Sequence, residues 1–122
     1  MLERFILPIA LLASPALPTA ALADPASVHD VRVAKSGGAY TFNVTILHSD
    51  TGWDDYADAW RIKDMEGNVL GMRQLAHPHV NEQPFTRSLS GVKIPDGIKS
   101  VVIEARDTVT GWSPQVKTVN LP

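Results

Sequence analysis

Four histidines and no cysteine set the chemistry open to this chain of 122 residues. Without a thiol there is no disulfide framework, no thiolate metal site, no cysteine nucleophile and no cysteine for lipid attachment. Any transition-metal site must then be built from imidazole and carboxylate. His77-Pro78-His79 is the most pointed local pattern. On extended backbone, residues i and i+2 share a face, so two imidazoles can meet one ion. Neutral imidazole suits zinc and copper. Pro78 rules out a central ladder position and stiffens the pair. His48 stands on a different segment, and Asp50 and Asp107 are the carboxylates expected beside it. Either can act as a fourth ligand or as the acceptor that orients a ligating histidine. The expected metal residues are therefore His48, His77, His79, Asp50 and Asp107, for zinc or copper.

A second set of residues could bind a partner. Trp53, Tyr56 and Trp112 are aromatic, and Asp54, Asp55 and Glu82 are acidic neighbours. Aromatic rings supply most of the contact energy in many interfaces, and acids supply polar specificity. This set fits a protein or carbohydrate partner. The acidic stretch Asp50–Asp58 also resembles an oxygen-rich calcium loop, but lacks the D-x-[DN]-x-[DN]-G spacing. The tripeptide Thr-Gly-Trp occurs twice, at 51–53 and 110–112. It reads as one turn solution used twice, with Gly at a positive φ and Trp folded back as a lid.

Catalysis has little support. Ser49 adjoins His48, but adjacent strand residues point to opposite faces and do not form a nucleophile–base pair. G-x-S-x-G, H-E-x-x-H and phosphate-loop motifs are all missing. The expectation is a non-enzymatic binding protein.

The elements that must position these groups are strands. Tyr40–His48 alternates apolar even positions with polar odd ones, the period of a half-buried strand. Similar segments are expected at His29–Lys35, Ala57–Asp64, Val69–Leu75, Phe85–Ile94, Lys99–Asp107 and Gln115–Leu121, with a bulge near Ser90-Gly91. Turn signals recur about every 8–12 residues, as in an all-β sandwich. Seven short strands and a Trp in the third predict an immunoglobulin-like or fibronectin-III-like antiparallel β-sandwich. In that topology the loops His48–Tyr56, Ala76–Pro84 and Asp107–Ser113 converge at one end. The phases of the second and sixth strands point His48 and Asp107 inward there, so the two can pair.

Residues 1–23 read as a signal peptide: Arg4 near the start, an apolar stretch, and Ala21-Leu22-Ala23 as a cleavage site. One domain, 24–122, should remain, in the periplasm or secreted. The formal charge of −2 lacks the basic excess that nucleic acid binding needs, and no segment after the leader is apolar enough to span a membrane.

In size, export and fold the chain resembles the small exported copper-binding sandwiches of the copper-resistance type. It departs from their motif. That family uses a mature N-terminal histidine, where Asp24 stands here, and Met-rich loops are missing because Met65 and Met72 are isolated. The segment HPHVNEQPFTR is more similar to small uncharacterised exported proteins of Gram-negative bacteria. That resemblance implies an exported sandwich and no particular activity.

Overall fold

The computed structural model describes residues 24–122, so the expected leader lies outside the described residues. Eight strands run in order: β1 (Ser27–Ser36), β2 (Ala39–Leu47), β3 (Ala57–Lys63), β4 (Val69–Gln74), β5 (Phe85–Val92), β6 (Ser100–Asp107), β7 (Gly111–Trp112) and β8 (Lys117–Asn120). Each of the seven expected strands has a counterpart, with ends shifted by one or a few residues. The addition is β7, a two-residue strand that folds back on β6 through Arg106 and Asp107.

All pairings are antiparallel. One sheet has the order β1-β2-β5, and the other β4-β3-β6-β7 with β8 also on β6. The expected sandwich is therefore present. The fourth strand joins the sheet of the third, so the sheets divide three and five, unlike the antibody constant domain. The expected bulge lies in β5, where the register between Val92 and Leu89 slips against Tyr40 and Phe42.

Period-2 patterning explains the core. Phe42, Val44 and Ile46 of β2 face Trp60 and Ile62 of β3 and Val101, Ile103 and Ala105 of β6, all fully buried. Each large side chain hidden this way contributes about 1.5–3 kcal/mol. The outer faces are polar. On the smaller sheet three cross-strand pairs form a ladder: Thr41–Ser90, Asn43–Ser88 and Thr45–Thr86. On the larger sheet Glu104 accepts from Arg61 and Lys63, and the Arg61 guanidinium stacks on Trp112 at 3.7 Å.

Strands β2, β4 and β6 all run toward one end, so the loops after them meet there. Asp50 of the first loop accepts from the His79 amide of the second at 2.7 Å. Gln83 of the second accepts from the His48 amide at 3.0 Å. Thr108 of the third donates its amide to the Tyr56 carbonyl at 3.0 Å. The described chain also starts at this end, where Asp24, Pro25 and Ser27 line a cavity of about 230 Å³ with Leu47, His48 and Ser49.

Candidate metal centre

The β2 alternation that buries Phe42, Val44 and Ile46 carries one step further and buries His48. The β6 alternation does the same for Asp107, which has no exposed surface. The two side chains meet at the top of the core, with His48 Nε2 at 3.7 Å from Asp107 Oδ2. Asp55 completes the cluster, its Oδ1 at 3.5 Å from the same nitrogen. One donor atom from each of His48, Asp55 and Asp107 lies within 4.8 Å of the others. Among the described residues this is the group of three or more metal-ligating side chains that comes together.

Asp50 stands behind the imidazole. Its Oδ1 accepts the His48 Nδ1 proton at 2.5 Å and the Ala57 amide at 3.0 Å. Its Oδ2 holds the His79 amide. A carboxylate acceptor on Nδ1 fixes the ring and leaves Nε2 as the outward nitrogen.

Asp107 is fixed from its own turn. Val109 and Thr110 donate amides to Oδ1 at 2.8 and 2.6 Å, and the Thr110 hydroxyl donates to Oδ2. Burial pushes the Asp107 carboxyl up. The bonds from Thr110 and Val109, with His48 adding a smaller effect, outweigh it and hold the group below the usual aspartate range. Asp107 is therefore a carboxylate at neutral pH. Asp55 differs, because its Oδ1 is buried without a hydrogen-bond partner.

Three polar atoms thus converge with no hydrogen bond joining them: His48 Nε2, Asp55 Oδ1 and Asp107 Oδ2. Distances decide what fits. A proton on Nε2 would seek N···O contacts of about 2.7–3.2 Å. Ligands sharing a tetrahedral ion at about 2.0–2.1 Å stand about 3.3–3.4 Å apart. The observed 3.5 and 3.7 Å lie nearer the second figure.

His77 and His79 stand outside this cluster. Their rings do share a side, with centroids 4.5 Å apart. However, His79 stacks on Phe85 at 3.9 Å and accepts from the Arg87 guanidinium at Nε2, 2.7 Å away. Burial, then the Arg87 and His77 charges, hold the His79 ring below the usual histidine range. It serves as a neutral packing and accepting group. His77 is exposed, with Nδ1 at 3.0 Å from the Pro78 carbonyl oxygen.

The aromatic set is spread over the same end. Trp53 is 68% exposed and meets Tyr56 edge-on at 5.6 Å. Gly52 and Gly111 do take positive φ values, 147° and 80°. The shared lid does not form, because Trp53 points to solvent while Trp112 lies in β7 beneath Arg61. Asp54 is exposed, and Glu82 makes a loose pair with Arg87 at 3.7 Å. Sequence reasoning placed Thr110 only in a repeated turn and Gln83 only among residues that order the second loop, and did not link them to Asp107 and His48, which they hold. Thr110 carries a signal, a hydroxyl three residues after an Asp that ends a strand. Gln83 carries none.

No family model matches the chain. A relative named "Putative lipoprotein", from the archaeal halophile Halomicrobium mukohataei, is 40% identical over 96 residues. The match covers 78% of this chain and 47% of that protein, so the chain spans about half of the relative's length. Among solved structures, a hypothetical protein from Pyrococcus horikoshii is similar, with a TM-score of 0.52 at 10% identity. That match covers 76% of this chain and 86% of the other, and its likeness is one of fold.

Proposed function

We propose that this protein is an exported, non-enzymatic binder of a divalent transition metal, with zinc the best fit. His48, Asp55 and Asp107 are the ligands, and Asp50 orients the histidine. The observation that carries this reading is the convergence of one imidazole nitrogen and two carboxylate oxygens, one of them buried without a hydrogen-bond partner, at spacings suited to one ion. One nitrogen and two oxygens form a donor set that zinc accepts, with a fourth position left for water or another group. His77 and His79, the other expected ligands, play no part in this site. The relative's name supports an exported or envelope location. In a Gram-negative cell the corresponding compartment is the periplasm.

Titration of the metal-free protein with zinc and copper, followed by calorimetry, tests the reading. One equivalent of zinc should bind tightly, with Asp107→Asn abolishing binding and His77→Ala leaving it unchanged. A dissociation constant weaker than about 10 µM, under roughly 7 kcal/mol of affinity, would sink it.

A second reading rests on a different observation. Each converging loop has an exposed apolar residue: Trp53, Val80 and Val109. With Tyr56, Asp54 and Glu82 they form a rim suited to a protein or carbohydrate partner. Partner capture that survives removal of the metal and fails in Trp53→Ala would favour it.

A further inference from the structure

We infer that the seam between β4 and β5 is a second binding site, which takes an oxyanion (a carboxylate, phosphate or sulfate group) between Arg73 and Arg87. It lies on the flank of the sandwich and does not depend on the metal centre. Charge along the chain first points there. Residues 69–93 hold Arg73, Arg87 and Lys93 against Glu82 alone, a formal balance of 3 − 1 = +2 in a chain of net −2. They form β4, β5 and the loop between them, and both strands are sheet edges.

The register brings the two arginines level. Arg73 pairs with Trp60 across β3 and β4, and Arg87 with Val44 across β2 and β5. Cross-strand partners share a face, and both partners are fully buried, so both arginines leave from inner faces. Gly71 and Leu89 stand two residues lower on those faces. The strands approach so closely there that a Cβ on Gly71 would lie 3.2 Å from Leu89 Cδ2. Since β4 runs up and β5 runs down, Arg73 and Arg87 both sit one step above that contact, about 7 Å along the strands. Beside the contact the seam opens into a cavity of about 330 Å³, lined in part by Gly71, Met72, Leu89, Val92 and Lys93.

Neither arginine has a close acid. Among the described residues Arg73 makes no ion pair, and its Nε is buried without a hydrogen-bond partner. Arg87 is held by neutral acceptors, the Thr86 carbonyl and His79 Nε2, each at 2.7 Å. Glu82 stands 3.7 Å away on a side chain that is 62% exposed. A guanidinium only donates, so His79 accepts at Nε2 and carries its proton on Nδ1. That Nδ1 and the Trp60 indole nitrogen are also buried without partners. This flank therefore has a surplus of donors as well as of positive charge. A half-buried cation without a counter-charge is costly. An oxyanion on the outward N–H groups of both arginines would offset that cost, through charge-assisted bonds of about 2.7–2.9 Å.

Inorganic phosphate and succinate, titrated separately into the metal-free protein, test this by ¹⁵N NMR. Sodium chloride keeps the ionic strength constant, so that screening does not change. The Arg73 and Arg87 Nε–H signals should shift and saturate, with a dissociation constant of about 1 mM or tighter. Saturation by phosphate alone would assign the site to phosphoryl groups, and by succinate alone to carboxylates; either supports an oxyanion site. Arg73→Gln and Arg87→Gln should each weaken binding about tenfold, the loss of a charge-assisted hydrogen bond. Arg32→Gln, on the exposed arginine of β1, should leave it unchanged. Arg73→Lys keeps the charge without the planar fork, and should weaken binding less than Arg73→Gln. It also serves as the test if the neutral variant does not fold. No saturable shift with either anion would overturn the site, as would wild-type affinity in both glutamine variants.

Discussion

At the residue scale, Asp50 joins the most parts for its size. One carboxylate holds the His48 ring, the Ala57 amide at the start of β3 and the His79 amide of the next loop. Two of its partners are backbone N–H groups, which an amide nitrogen cannot accept. Asp50→Asn should cost about 1.5–3 kcal/mol, the range for hydrogen bonds to a charged group, measured by urea unfolding. Zinc affinity should fall too, because the imidazole loses its orienting acceptor. Sequence reasoning reached parts of this. Strand phase carried His48 and Asp107 to one place, because alternation is periodic and continues past the last apolar residue. Asp55 was visible only as a partner-binding acid. Its position depends on the turn geometry at Gly52, and no period describes a turn. His77 and His79 do share a side, as their spacing requires. Spacing could not show that Arg87 and Phe85 engage the second ring.

At the element scale, β3 and β6 are joined on their outer face by charge. Arg61 pairs with Glu104 in the strand register, and Lys63 reaches the other carboxylate oxygen. Burial pushes the Glu104 carboxyl up. The bonds from Lys63 and Arg61, with their charges, outweigh it and hold the group below the usual glutamate range. A carboxylate with a lowered folded-state pKa adds stability above its unfolded pKa. That stability fades as pH falls through the folded value. Wild-type protein should therefore lose stability as pH drops below the usual glutamate range, and Glu104→Gln should flatten that part of the profile. At neutral pH the substitution should cost about 1–2 kcal/mol, between exposed and buried ion pairs. Thermal melts from pH 3 to 7 check both. These strands were legible as strands because Val101, Ile103 and Ala105 alternate with polar residues. The extra strand β7 was not, since two residues carry no period.

At the scale of the whole molecule, a small core must hold the domain without covalent help. Ile103 lies fully buried at its centre, so Ile103→Ala should cost about 2–5 kcal/mol in denaturant unfolding. A bound ion would tie the first and third loops to the end of β2. At a free zinc concentration 100-fold above the dissociation constant, binding should add about 2.7 kcal/mol. Calorimetric melting should then rise by about 10–20 °C for a domain of this size. Chelation should reverse the gain. The sandwich itself was the most legible feature, because strand period and turn spacing repeat across the chain. The exact split of the sheets was not, since which sheet takes β4 depends on a long-range pairing.

The two ends of the described chain have opposite relations to the candidate centre. Asp24 and Pro25 sit beside His48, at the end where the loops converge. β8 begins opposite Ile103 and runs down to Asn120 opposite Ser100, so Pro122 leaves from the far end. A fusion or surface attachment through Pro122 would display the loops outward, free for exchange with the medium. The same attachment through Asp24 would turn them toward the support and crowd their approach. Orientation alone should therefore separate two immobilised forms of one molecule in how fast they take up zinc.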